Sequence, residues 1–212
     1  MRFSNDSLQK LEKSVSERLS EKRFRHTLGV VDAASFIGGY LSGLDMSEVR
    51  AAALLHDIAK EIPADEAAAH LAALSLTLKA DIVCEAVHHS LIAPLIIQRD
   101  FPEFATEGII SAVKYHTTGS PDMSVLDEVI FISDYVEEGR RYNACTRLRE
   151  SLYSALKGSR DYDEALSHLN DAVIKCLDDT IVHIIGRNKY LHERTVSTRN
   201  AFLARRPMPL NL

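Results

Sequence analysis

Two adjacent side chains, His56 and Asp57, interrupt the apolar, alanine-rich stretch from Ala51 to Ala59. Neighbouring polar groups in such company are costly unless something partners them. Imidazole nitrogen and carboxylate oxygen together suit iron, manganese or zinc better than magnesium or calcium, so the first chemistry to consider is metal binding. The pair alone carries little weight. Nine His and fifteen Asp in 212 residues give about 0.6 chance occurrences of such a pair.

Other residues strengthen it. His26 begins one apolar-periodic segment, and Asp134 sits within Ile130-Phe131-Ile132-Ser133-Asp134-Tyr135-Val136, where a carboxylate asks for a cation or strong donors. Four ligands from three helices leave coordination positions open for water and phosphate, and a metal-activated hydroxide is a competent nucleophile near neutral pH. Lys60 follows His56 by four residues and Asp57 by three, within one helical turn, and Arg23 precedes His26 by three. Arg140 lies just beyond the segment carrying Asp134 and has a planar fork that fits phosphate. The alternatives are a buried polar network without metal, solvated surface charge for Lys60 and Arg140, and a helix C-terminal histidine favoured by the macrodipole for His116.

The elements that must position these groups are helical throughout. Leu8, Leu11, Val15 and Leu19 form one stripe, and Leu28, Val31, Ala34 and Leu41 form most of another. No stretch alternates with period two. Asp45 with Glu48 predicts a capping box before a helix over 49–59, and Ser124 with Asp127 predicts one before 125–138. Pro63 opens a helix to about Leu74; further helices are expected over 81–88, 91–99, 107–115, 143–157, 161–185 and 195–205, with Pro94 kinking or delaying the one over 91–99. Gly139 and Gly186 read as stops. The turn formers Thr117-Thr118-Gly119-Ser120-Pro121 place His116 at a helix end, facing a loop.

Length and composition fit one domain over 1–212: 46% hydrophobic, 26% charged, with few Gly or Pro. Cys84, Cys145 and Cys176 lack CxxC spacing and read as small buried hydrophobes in a reducing, cytoplasmic compartment. No apolar run reaches the roughly 18 residues that cross a bilayer. The net charge of −5 argues against nucleic-acid binding through a basic face. The basic C-terminal residues Arg187, Lys189, Arg194, Arg199, Arg205 and Arg206 read as a solvated helix face. His183, inside Ile181 to Ile185, reads as a core or interface histidine.

The order His26, His56-Asp57, Asp134 resembles the HD-domain superfamily of metal-dependent phosphohydrolases. Finer features are similar to its YqeK-type branch, the symmetrical bis(5'-nucleosyl)-tetraphosphatases: Arg23-Phe24-Arg25-His26-Thr27, Ala53 to Lys60, Tyr115-His116-Thr117-Thr118-Gly119, Asp134-Tyr135-Val136-Glu137 with Arg140, and Thr195 to Asn200. The resemblance implies an all-α bundle with additional C-terminal helices, bound iron or another divalent or trivalent transition metal such as manganese, a homodimer, and cleavage of diadenosine tetraphosphate into two ADP. By position it implies His26, His56, Asp57 and Asp134 as metal ligands. His89 and His116 would lie beside the metal and phosphates, as catalytic groups with Asp57 and Lys60 or as ligands of a second ion. Arg23, Lys60, Thr117 and Arg140 would contact nucleotide or phosphate, together with Asp57, His89, His116 and Asp134, and Thr195, Arg199 and Asn200 would close over the nucleotide. His88 stands beside His89 as a competing choice. The chain departs from the pattern in His89-Ser90-Leu91-Ile92-Ala93-Pro94, where a Gly-Ala pair is usual after the histidine, and at Ser120, where the branch commonly has Arg before the proline. The rival readings are an HD-type hydrolase of another nucleotide phosphoester and a nucleotide-sensing protein without turnover.

Overall fold

A computed structural model describes residues 1–206. The order is α1 Asn5–Arg18, α2 Glu21–Gly38, α3 Met46–Leu55, α4 Ala64–Ala73, α5 Lys79–Val83, α6 Glu85–Asp100, a 3-10 turn at Pro102–Phe104, α7 Glu107–Tyr115, α8 Val125–Val136, α9 Asn143–Gly158, α10 Tyr162–Gly186 and α11 Glu193–Ala204. Among the described residues there is no strand, and no helix is long and apolar enough to cross a membrane. The last six residues of the expected single domain, 207–212, lie outside the described residues.

Helix starts follow local chemistry. Ser4, Ser20, Asp45, Thr106, Ser124 and Asp161 each accept a hydrogen bond from a backbone N–H in the first turn of the helix that follows. The Ser124–Asp127 pair forms the reciprocal capping box expected of it. The Asp45–Glu48 box does not form: Asp45 caps Ser47, while Glu48 turns to Arg2 and to the hydroxyl of Thr106. A distant partner outcompetes the local one there.

Two boundaries move in ways that matter for the site. The helix expected over 49–59 ends at Leu55, so His56 is its C-cap and Asp57 to Lys60 form a tight turn with Lys60 N–H donating to the Asp57 carbonyl. The segments expected over 81–88 and 91–99 are redrawn as the short α5 and one continuous α6 that runs through Pro94. A proline inside a helix costs about 3 kcal/mol; burial of Leu91, Ile92, Ala93, Ile96 and Ile97 around it offsets that cost.

The centre of the molecule is the packing of α2 against α3 and α8, and of α7 against α3, α6 and α8. Their inner faces share one apolar core that includes Val30, Ala34, Ile37, Leu54, Leu55, Ile109, Val129, Ile130 and Ile132. Helices α9 to α11 add a second layer through α10, which packs on α8, α9 and α11. Four of the six basic C-terminal residues are engaged in ion pairs, Arg194 with Asp81, Arg199 with Asp178, Arg205 with Glu128 and Arg206 with Asp171, while Arg187 and Lys189 are exposed. Cys145 and Cys176 are buried, but Cys84 is half-buried at the α5–α6 junction. His183 is exposed on α10, which corrects its core assignment; the neighbouring Val182 and Ile185 are exposed too, so no described element covers that end of the helix.

Candidate metal centre

Five elements converge on one point. Helix α2 supplies His26 and Arg23; the end of α3 and the turn after it supply His56, Asp57 and Lys60; α6 supplies His89. The end of α7 supplies His116 and Thr117, and α8 with its C-terminal turn supplies Asp134 and Arg140. The ligand atoms of His26, His56 and Asp134 lie within 4.8 Å of one another, and so do those of Asp57, His89 and His116. His56 and Asp57 are almost wholly buried.

Tautomers follow from the partners. His56 Nδ1 is 2.7 Å from the Ala53 carbonyl, and His116 Nδ1 is 2.7 Å from the Val113 carbonyl. A carbonyl only accepts, so each Nδ1 carries a proton and each Nε2 faces inward. His89 Nε2 stands 3.0 Å from His116 Nε2, and Lys60 Nζ approaches both nitrogens of the His89 ring, at 3.2 Å from Nδ1 and 3.1 Å from Nε2. Thr117 Oγ1 stands 3.2 Å from His116 Nε2 and 3.3 Å from His89 Nε2. Much of Lys60 is exposed, but its ammonium turns inward to this histidine pair. His89 therefore faces the cluster, whereas His88 turns to the Ile82 carbonyl.

Asp57 stands between the two groups. Its Oδ2 accepts from Arg23 Nη1 at 2.8 Å and lies 3.7 Å from His26 Nε2 and 3.6 Å from His56 Nε2. Its Oδ1 faces His89 Nε2 at 3.3 Å and His116 Nε2 at 3.7 Å. Asp134 Oδ1 is 2.6 Å from Arg140 Nη2 and 3.0 Å from His26 Nε2. An arginine thus holds each of the two carboxylates.

Three buried atoms at the centre make no hydrogen bond: His26 Nε2, His56 Nε2 and Asp57 Oδ1. Although His26 Nε2 is close to Asp134, it is not aligned to donate to it. Orphaned buried polar atoms ask for a partner, and two nitrogens with carboxylate oxygens aimed at one point are a transition-metal donor set. The residues fit a metal ion.

The electrostatics of His56, His89 and the two carboxylates agree. Burial pushes the His56 imidazolium down to about 4, and burial with the neighbouring His116 and Lys60 pushes His89 well below its ordinary value, so both rings are neutral near pH 7. Burial opposes ionisation of Asp57 and Asp134, but the histidines around the first, and His26 and Arg140 beside the second, hold both carboxyls well below the usual range. Desolvation lowers the Lys60 ammonium, against the pull of Asp57 and Asp134.

The C-terminal candidates are placed differently. Thr195 is buried at the start of α11, Arg199 is tied to Asp178 of α10 at 2.8 Å, and Asn200 is exposed; no described hydrogen bond or ion pair links them to the histidines. Ser120 lies in the turn after Gly119 and supplies no cation. Two polar features had no assigned role in the sequence. Glu137 bonds His26 Nδ1 at 3.1 Å; its spacing three residues after Asp134 was the available signal. Asp81, buried, binds His192 Nε2 at 2.8 Å and both Arg194 amino groups at 3.2 Å, tying α5 to α11 across 111 residues; nothing local in the sequence announced that pairing.

Residues 23–139 match the family model of the HD domain. Relatives named symmetrical bis(5'-nucleosyl)-tetraphosphatase include one from Halalkalibacterium halodurans, 28% identical with 89% of this chain and 93% of the relative covered, and one from Bacillus subtilis, 27% identical with 88% and 92% covered. A crystal structure from Clostridium acetobutylicum, described as a predicted HD superfamily hydrolase involved in NAD metabolism, superposes with a TM-score of 0.79 at 29% identity, covering 96% of this chain and 99% of that one.

Proposed function

The chain belongs to the HD domain family, and from that premise we propose that it hydrolyses diadenosine tetraphosphate, or a close dinucleoside tetraphosphate, symmetrically to two nucleoside diphosphates. The observation that carries this reading is the convergence of a metal donor set with Lys60, Arg23 and Arg140 around one carboxylate pair, in a chain that aligns with the symmetrical tetraphosphatases over about nine-tenths of its length. Water adds across one P–O–P linkage at the middle of the phosphate chain, and each half leaves as a diphosphate.

His26, His56, Asp57 and Asp134 would hold the metal, with iron first and manganese next for a mixed nitrogen and oxygen donor set. When bound, the metal supplies Lewis acidity toward phosphoryl oxygens and acidifies the attacking water. The chain's own groups do the rest. Asp57 Oδ1, without a hydrogen-bond partner, is placed to accept a hydrogen bond from the attacking water and so orient it, and the water's proton leaves to solvent. Lys60 neutralises phosphate charge, while His89, in contact with His116 and Thr117, faces the same space and is placed to hydrogen-bond the departing phosphate oxygen. Arg23 and Arg140 fix the carboxylates and keep further N–H groups for phosphate. His89 and His116 act here as proton and phosphate groups: the adjacent Lys60 charge favours an anion over a second cation at that position.

Thr195, Arg199 and Asn200 enter this proposal as the segment that adjoins the nucleotide, with Thr198 packed on Gly119 as the contact that brings α11 to the His116 loop. One domain, a cytoplasmic location, and a homodimer belong to the same reading; the three unpaired cysteines and the exposed Val182 and Ile185 on α10 support the last two in turn. Incubation of metal-loaded protein with diadenosine tetraphosphate is expected to release ADP alone. Appearance of AMP with ATP, or no turnover with iron, manganese or zinc, refutes the reading.

A further inference from the structure

Three of the inward-facing rings at the centre, His26, His56 and His116, are not held alike. His56 and His116 each give their Nδ1 proton to a neutral backbone carbonyl three residues earlier. The acceptor at His26 Nδ1 is instead the Glu137 carboxylate, with Oε1 at 3.1 Å. We propose that Glu137 is the positioning residue of the metal centre: it fixes the His26 tautomer, turns Nε2 toward the metal position, and raises the electron-donating strength of that one ligand. This inference rests on the metal-binding part of the proposed function and not on the choice of substrate.

The carboxylate sits in a built cradle. Glu137 is the C-cap of α8 and is only 4% exposed. Its Oε2 accepts the Gly139 backbone N–H, and Arg149 Nη1 donates to the Val136 and Glu137 carbonyls at 3.0 and 2.8 Å, which fixes the chain where the helix ends. On the opposite side Gly29 of α2 makes the room: a Cβ there would stand 2.5 Å from Glu137 Oε2. His26 and Gly29, three residues apart on α2, therefore present a ring and a vacancy to the same carboxylate. Asp134 and Glu137, three residues apart at the end of α8, reach that ring from its two nitrogens. An acidic acceptor behind a ligating imidazole both orients the ring and strengthens its donation, and removing such a partner typically weakens metal binding 10- to 100-fold.

The test uses three forms of the full chain: wild type, Glu137→Gln and Gly29→Ala. Glutamine preserves size but replaces the charge, and it cannot accept both the His26 and the Gly139 protons through its two terminal atoms. Gly29→Ala leaves Glu137 in the sequence and displaces only the flexible end of its side chain. Zinc and manganese affinities are measured by chelator competition, alongside thermal unfolding of the metal-free forms. The histidine ring protons of the 15N-histidine-labelled, zinc-loaded protein are followed by NMR. Both variants are expected to bind metal 10- to 100-fold more weakly, and the His26 Nδ1 proton is expected to move upfield as it loses its charged acceptor. Wild-type affinity with an unchanged His26 resonance in either variant overturns the proposal, and lowered metal-free stability with unchanged affinity reduces Glu137 to a helix cap. A wild-type chain that binds neither metal overturns it as well. Tight metal binding without hydrolysis of the tetraphosphate would instead refute the substrate and leave this inference standing.

Discussion

Gly119 offers the sharpest quantitative test of how the C-terminal helix meets the site. Its φ of +69° lies in the left-handed region, and a Cβ added there would stand 2.7 Å from Thr198 Cγ2 and 3.2 Å from Thr198 Oγ1. Gly119→Ala therefore carries two penalties: about 1–2 kcal/mol for a non-glycine residue in that conformation, and about 1–3 kcal/mol for overpacking against a fully buried threonine. Reduced freedom of the unfolded chain returns about 0.4–1 kcal/mol. Mid-range values give a net loss of about 3 kcal/mol, which for a chain of this size lowers Tm by about 6–12 °C. Thr198→Ala alone removes the two closest atoms and the hydroxyl's hydrogen bond to the Arg194 carbonyl, at a cost of about 1 kcal/mol. In the double variant the overlap is gone but the backbone strain remains. Its loss should thus fall short of the sum of the single losses by at least about 1 kcal/mol. Thermal and urea unfolding of the four proteins measure this cycle directly. Additive losses, or a Gly119→Ala protein as stable as the wild type, would refute the close contact between the His116 loop and α11.

Burial raises the Glu128 carboxyl to about 7, even with Arg205 at 2.9 Å pulling it down. A raised carboxyl binds its proton more tightly in the folded state, so its contribution is full below pH 4.5 and is lost as pH rises toward 7. Between pH 5 and 8 the wild type should lose about 2–3 kcal/mol that Glu128→Gln does not lose; parallel urea titrations at the two pH values would expose the error if both proteins change alike. Lys60→Met keeps the aliphatic stem and removes the charge beside His89. It should lower kcat/KM about 100-fold with metal content unchanged, and an undiminished rate in steady-state assays would remove Lys60 from the phosphate site. His56→Ala should abolish bound metal and turnover together, because it deletes a fully buried ligand whose Nε2 has no other partner; elemental analysis showing wild-type metal content would dismiss the cluster as the binding site. Stripping metal with a chelator should lower wild-type Tm by several degrees, and unfolding curves that superpose before and after would mean that metal does not bind the folded state selectively.

The helical class, the Ser124–Asp127 box, the 107–115 helix and the order of the candidate ligands were written locally, because periodicity and caps act within a few residues. What the residues alone left open were the alternatives of a metal-free polar network, a dipole-stabilised His116 and a solvated Lys60. Only tertiary packing could decide where those groups point. It ended α3 at Leu55 so that His56 and Asp57 leave the helix together, and it carried α6 through Pro94 because five apolar neighbours outweigh a missing hydrogen bond. It also turned His89 inward and His88 outward, although adjacent histidines look identical in a sequence. Glu137 behind His26 and Asp81 between His192 and Arg194 are bonds between residues 111 to 113 positions apart. No local rule reports such pairs, since the chain must first fold before either partner has anything to bind.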